Sequence, residues 1–380
     1  MNFFSGRPTW TEINLKNLAF NFQSVRDFIN ENVKLMAVVK ADAYGHCAVE
    51  CAKKLEKIGI DWFGVALPEE GFELRQNGIS KPILCLGGFW EGQEEMLLRN
   101  DLIPVVYQIE KADLYNRAAK KLGVNGKAHI KVDTGMGRIG VRFDEVENFA
   151  EQLKNFSNID FEGVMTHFAA ADSFEEKNFT ELQIERFNQA VDIFEKNNFK
   201  LKYKDLANSP AAIAHPKSYG NMIRLGGILY GLGEDVLPDW TDKPSLKPVL
   251  SLHTKVALIK KVKKGETLGY GRTFRAEKDL TIATIPIGYQ DGYRRALSNR
   301  GRVLVKGKYA NVVGRISMDW TIIDITEIDN AQVGDEVVLI GEQNGSKIAA
   351  EEVAEKAGTI SYEITCGINK RVSRKYVDGE

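Results

Sequence analysis

The order of apolar runs constrains this 380-residue chain more than any other feature. Eight short runs read as strands, at residues 33–39, 62–67, 82–86, 102–107, 127–132, 161–166, 203–207 and 219–224. Amphipathic or helix-permissive segments fall between most of them, at 48–58, 68–76, 111–121, 143–155 and 179–197. Strands separated by helices pair in parallel, because a parallel neighbour needs a long crossover. Eight such units predict an α/β chain with an N-terminal (β/α)8 barrel of the TIM type. A doubly wound sheet is the alternative that the same alternation allows.

The pattern changes where Pro238, Pro244 and Pro248 cluster, which reads as a linker. Short strand-like runs follow at 249–262, 280–287, 302–305, 310–316, 321–325 and 336–340, with Gly265, Gly307 and Gly334 at turns. Only 349–357 is clearly helical. The chain therefore divides into a barrel domain, 1–240, and a mostly antiparallel β domain, 241–380.

Composition narrows the partners. A formal net charge of −1 gives no electrostatic case for nucleic acid or an anionic membrane. No apolar run approaches the roughly 20 residues of a transmembrane helix. Residues 1–10 lack a basic segment followed by an apolar core, so a cytoplasmic location is expected. Cys47, Cys51, Cys85 and Cys366 form neither a C-x-x-C pair nor a metal spacing, and read as buried reduced thiols. Cys47 and Cys51 are expected to share one helix face, and Cys366 to lie in a strand after Tyr362. The five histidines show no H-x-x-x-H pattern, so no metal site is expected.

A barrel of this type carries its chemistry at the C-terminal ends of its strands, with a phosphate site after the seventh and eighth. Candidate residues obey that rule. Lys40 ends the first run, in Val-Val-Lys-Ala-Asp-Ala-Tyr-Gly-His. An amine leaving an apolar strand is partly desolvated, which disfavours its charged form and suits a Schiff-base lysine. A solvated lysine after a strand is the plainer reading of that residue alone. Arg138 follows the fifth run among Gly135, Gly137 and Gly140, and His167 follows the sixth. Asn208 and Ser209 follow the seventh, where Ser209 before Pro210 suits a helix cap. Arg224, Gly226 and Gly227 are read as following the eighth, and bare glycine amides suit an anion. Each has an ordinary structural reading; together they fall at the ends of separate strands.

The segment Lys40–His46 resembles the pyridoxal-phosphate (PLP) signature of the alanine racemases, and matching motifs recur in order as far as Tyr362. The resemblance implies that Lys40 holds PLP covalently and serves as one acid/base. Tyr44, Ser209, Gly226 and Tyr362 would bind the phosphate, with Asn208 and the Gly227 backbone beside them. Arg224 would face the pyridine nitrogen, and His167 would link Arg224 to the second base. That base would be Tyr270, in Leu-Gly-Tyr-Gly-Arg; a positive network of His167 and Arg224 would favour its phenolate. Arg138 would pair with the substrate carboxylate or the PLP oxygen, the backbone amide of Met318 would contact the carboxylate, and Lys131 would be carbamylated. Asp172, Tyr289, Arg295 and Arg315 resemble residues lining a narrow approach to the site. Tyr270 and Met318 would reach the barrel of a second subunit, so a homodimer with shared sites is implied. The expected activity is interconversion of L- and D-alanine, with D-alanine going to peptidoglycan.

Cys47 stands where relatives commonly have glycine, Trp320 where a smaller or polar residue is usual, and Gln290 and Arg294 alter the segment near the approach. These bear on substrate preference rather than reaction class. Other readings are a racemase of serine or lysine, a PLP decarboxylase of the same architecture, whose acid/base cysteine only Cys366 would supply, and a non-enzymatic PLP carrier.

Overall fold

The structure is a computed structural model that describes residues 6–29 and 32–377. Residues 1–5, part of the stretch read for a leader, lie outside it. The chain forms two compact units.

The first unit spans Ala19–Leu229 with Val236–Leu246. It is a closed parallel barrel. Its strands are β1 (Lys34–Val38), β2 (Trp62–Val65), β3 (Ile83–Cys85), β4 (Leu102–Val106), β5 (Gly126–Asp133), β6 (Ile159–Met165), β7 (Tyr203–Asp205) and β8 (Met222–Leu225). Each pairs in parallel with its sequence neighbours, and β8 pairs with β1 to close the ring. All eight predicted strands are present, and the doubly wound alternative is excluded. The eighth begins at Met222 rather than 219, because Gly220 takes φ +56° in the turn before it.

Helices Ala48–Lys57, Pro68–Gln76, Ile109–Leu122, Val146–Leu153 and Lys177–Lys196 lie between strands and match the predicted segments. Strands with both faces covered read as continuous apolar runs, which is why they were legible. Met36, Trp62, Leu84, Ile103, Val105, Met165 and Met222 pack into one buried cluster contributed by strands around the ring. His129 is also fully buried, stacked on Tyr203 and tilted against Trp62.

The second unit comprises the N-terminal residues through Leu18, Tyr230–Asp235 and everything from Lys247 onward. A division at 240/241 therefore misplaces the start of the chain. Strand Thr9–Asn14 pairs antiparallel with Leu250–Lys255 and parallel with Ser373–Val377, inside the β unit. The run at 249–262 is two strands, Leu250–Lys255 and Leu258–Val262. A three-stranded antiparallel sheet, Leu258–Val262, Leu280–Ile285 and Thr321–Asp324, lies beside the larger one. The predicted helix at 349–357 is Ala350–Ala357.

Two cysteine expectations fail. Cys47 precedes its helix with φ +71°, so it shares no helical face with Cys51. Cys366 ends helix Ser361–Cys366 and is exposed, not part of a strand. Isoleucine and threonine there mimic a strand, but Ile364 and Thr365 are buried by helix packing. Among the described residues, no helix is long and apolar enough to cross a membrane.

Candidate active site

Lys40 lies two residues beyond β1, and the chain then turns in an uncommon way. Ala41, Asp42, Ala43 and Tyr44 all occupy the left-handed region, with φ between 52° and 56°. For L-residues each such position costs roughly 1–2 kcal/mol, so surrounding contacts must hold the turn. Those contacts are specific. Ala43 N donates to Val39 O at 2.8 Å, and His46 N donates to Ala43 O at 3.1 Å. Asp42 Oδ1 accepts from Ala48 N at 2.8 Å, and Glu70 Oε1 accepts from Ala41 N at 2.7 Å.

The turn delivers Tyr44 to the end of β8. A methyl group on Gly226 would lie 2.7 Å from Tyr44 Oη and 3.7 Å from Ser209 Oγ, so only glycine leaves that gap open. Ser209 Oγ accepts from Gly226 N at 2.8 Å, which leaves the hydroxyl proton of Ser209 free to turn toward an anion. The expected cap is shifted by one residue. Asn208 caps helix Ser209–Ala214 by accepting from Ala211 N at 3.1 Å, because it alone has the extended backbone a cap requires. Gly227 opens the short 3-10 turn Gly227–Tyr230.

Arg224 sits inside β8 rather than after it, and is buried. Its Nη1 is ion-paired with Asp205 Oδ1 of β7. Its Nη2 donates to Thr166 O and Leu206 O, each at 3.0 Å, and meets His167 Nδ1 at 3.4 Å. Nε stands outside this set of bonds. Since arginine only donates, Nδ1 of His167 is the acceptor and its proton belongs on Nε2.

Burial pushes the His167 pKa well below its ordinary value, and the charges of Arg224, Lys131, Arg138 and Lys40 push it the same way. His167 is therefore neutral, and the expected positive network reduces to Arg224.

Lys131 is buried on β5, with Nζ donating to Leu86 O at 3.3 Å. Burial, followed by Arg224 and Arg138, lowers its pKa to about 7. Arg138 is exposed in the glycine loop, where Asp133 accepts from Gly135 N at 3.0 Å and Gly137 N at 3.1 Å.

Three of the residues expected at the site belong to the β unit. Tyr270 heads a 3-10 turn, Tyr270–Arg272, between the short paired strands Thr267–Leu268 and Phe274–Arg275, and is 70% exposed. A methyl on Gly269 would strike the Arg315 backbone at 2.9 Å, and one on Gly271 would strike its guanidinium at 2.7 Å. Arg315 thus backs the Tyr270 turn. Met318 is exposed on a turn closed by Ser317 N donating to Trp320 O at 3.0 Å, and Met318 O accepts from Gln290 N at 3.1 Å. That bond ties the Met318 turn to the segment of Tyr289. Tyr362 lies in helix Ser361–Cys366, whose first residue is held by Asp235 through Ser361 N at 2.6 Å.

The comparisons decide the family. The model for the alanine racemase N-terminal domain matches residues 13–234, and that for the alanine racemase C-terminal domain matches 249–376. The chain is a member of the alanine racemase family.

An alanine racemase of Halothermothrix orenii is 48% identical over 376 residues, covering 99% of this chain and 98% of its own. The solved alanine racemase of Clostridium difficile 630 superposes with a TM-score of 0.92 at 40% identity, over 98% of this chain and 97% of that one. The alanine racemase of Bacillus anthracis, solved with bound L-Ala-P, gives a TM-score of 0.90 at 37% identity, over 98% and 95%.

In this alanine racemase family member, sequence reasoning missed Asp205 and Glu70. An acid inside the apolar run 203–207 was the available signal for Asp205. Glu70 was marked by Leu-Pro-Glu-Glu, which puts a carboxylate at the third helical position, the usual partner of a helix start.

The donor set fits PLP. It offers one amine, hydroxyls from Tyr44 and Ser209 beside an open glycine, and a fixed guanidinium with Nε uncommitted.

Proposed function

We propose that the chain interconverts L- and D-alanine with PLP bound through Lys40. The observation that carries this is the convergence of Tyr44, Ser209 and Gly226 into one gap, on the barrel whose β8 holds Arg224. Tyr44 Oη and Ser209 Oγ bind the phosphate, joined by Tyr362 and the backbone at Gly227, with Asn208 fixing the helix that carries Ser209. When bound, PLP supplies an electron-withdrawing ring that stabilises negative charge at the substrate α-carbon. Arg224 would face the ring nitrogen, with Nε outside its bonds to the protein. Being always protonated, it takes no proton from that atom, which keeps the electron sink weak and side reactions few.

Racemisation requires a proton to leave one face of the α-carbon and another to arrive on the opposite face. Lys40 Nζ serves one face, and the hydroxyl of Tyr270 of the partner subunit serves the other. Neutral His167, bonded to Arg224 at Nδ1, keeps a proton on Nε2 and would link Arg224 to that hydroxyl. Arg138 and the backbone amide of Met318 of the partner subunit hold the substrate carboxylate. Asp172 lines the approach, with Tyr289, Arg295 and Arg315 of the partner subunit. The active unit is a cytoplasmic homodimer with two shared sites, and its D-alanine feeds peptidoglycan.

Lys131 is carbamylated. Its neutral amine attacks the carbon of carbon dioxide and loses a proton, giving an anion that pairs with Arg138. A pKa near 7 makes the neutral amine available.

The test is to incubate PLP-loaded protein with L-alanine in deuterium oxide and follow D-alanine and α-deuteration by NMR. Inversion with one deuteron per turnover is expected. Exchange without inversion overturns the two-base reading, and equal rates on serine or lysine overturn the substrate.

A further inference from the structure

Glu70 is the third residue of helix Pro68–Gln76. Its Oε2 accepts from Ala66 N at 2.7 Å and from Leu67 N at 3.1 Å, which secures the start of its own helix. Its Oε1 does something else: it accepts from Ala41 N, the first amide of the left-handed turn, at 2.7 Å. One carboxylate thus joins the loop after β2 to the residue that follows Lys40. Ala41 and Asp42 are exposed, so no packing confines that end of the turn. Further along, Asp42 bonds Ala48 and the His46 ring bonds Ala43 O at 2.9 Å. At Ala41 the hold is Glu70.

We propose that Glu70 is a positioning residue for Lys40: by accepting from Ala41 N it keeps the left-handed turn wound, and so fixes both the amine before the turn and the Tyr44 hydroxyl after it. Without that acceptor, Ala41 relaxes toward the conformations open to an L-residue, and Lys40 and Tyr44 lose their common register. The inference rests on the reading of Lys40 as the PLP lysine for its functional part; the hold on the turn stands on geometry alone.

Two variants of the full chain separate positioning from helix capping. Glu70→Ala removes both roles. Adding Leu67→Asp, at an exposed N-cap position, restores a helix cap but nothing at Ala41. In ligand-free protein, the double variant is expected to recover most of the thermal midpoint while amides of the segment 41–46 exchange roughly ten- to a hundredfold faster than in the parent. In PLP-loaded protein, the fraction captured on Lys40 by borohydride should fall by a similar factor at limiting PLP. Parent-like exchange and capture in the double variant overturn the proposal. Failure of the parent itself to capture PLP on Lys40 overturns the PLP reading, and the exchange measurement still decides whether Glu70 holds the turn.

Discussion

Arg224 and Asp205 form a buried ion pair across neighbouring strands, β8 and β7, and the second carboxylate oxygen of Asp205 has no hydrogen-bond partner. Burial raises the Asp205 pKa, and Arg224 opposes that rise. The pair is a costly element, retained where Arg224 must point one way. Asp205→Ala strands a guanidinium in the interior and is expected to cost about 3–5 kcal/mol, read by urea denaturation. Asp205→Asn, which keeps a carbonyl acceptor, should cost less.

Tyr270→Phe removes the hydroxyl assigned to one face of the α-carbon and leaves the ring. General acid–base groups contribute about 10²–10⁴-fold, so α-deuteration starting from L-alanine should slow by that order. PLP capture on Lys40 should be unchanged. A parent-like exchange rate removes Tyr270 from its role.

Gly226→Ala places a methyl 2.7 Å from Tyr44 Oη and forces that ring or the β8 end to shift. Overpacking of this kind costs about 1–3 kcal/mol. Retention of PLP through dialysis should drop far more than stability does, because the methyl fills the gap that takes the phosphate.

His129 supplies a pH test. It is fully buried, neither ring nitrogen has a hydrogen-bond partner, and burial alone lowers its pKa to about 3. Unfolded, a histidine titrates near ~6.5. Between those values the unfolded chain binds the extra proton. The contribution of the neutral ring is therefore present above ~6.5 and is lost as pH falls toward 3, by at most about 1.4 kcal/mol per pH unit. His129→Phe keeps the aromatic stack and removes this term. Relative to the parent it should gain stability steadily below pH ~6.5, read by denaturation across that range.

Carbamylation of Lys131 should rise with pH through about 7, since only the neutral amine reacts. Intact mass measured in bicarbonate should show the adduct, and Lys131→Gln should abolish it. An unmodified lysine at every pH overturns that assignment.

The barrel was legible because its strands are buried on both faces, so runs such as Leu102–Val106 are apolar at every position. The placing of Lys40, Arg138, His167 and Ser209 at strand ends followed from that frame. What could not be read locally was the turn from Ala41 to Tyr44. Alanine and tyrosine have no preference for left-handed backbone, and the groups that impose it, Glu70 above all, lie far along the chain. The state of His167 was equally hidden. The imidazole is neutral because the fold buries it and brings two arginines and two lysines near it. The capping residue was misjudged by one position, since Asn208 and Ser209 are both competent caps and only the backbone angle separates them.

Strand Thr9–Asn14 has one further consequence, in the timing of assembly. Its partners are Leu250–Lys255 and Ser373–Val377, and Trp10 pairs with Ser373. During synthesis this strand emerges before the barrel; it waits roughly 10–50 s at ribosomal speeds for Leu250–Lys255, while the barrel closes on itself, and for almost the entire chain for Ser373–Val377. Until Leu250–Lys255 emerges it is an unpaired strand reading Thr-Trp-Thr-Glu-Ile-Asn. Glu12 in its middle is the strand's one charge against premature pairing, so a nascent chain lacking it should be prone to aggregation; in the finished protein its Oε1 accepts from Trp10 Nε1 at 2.9 Å.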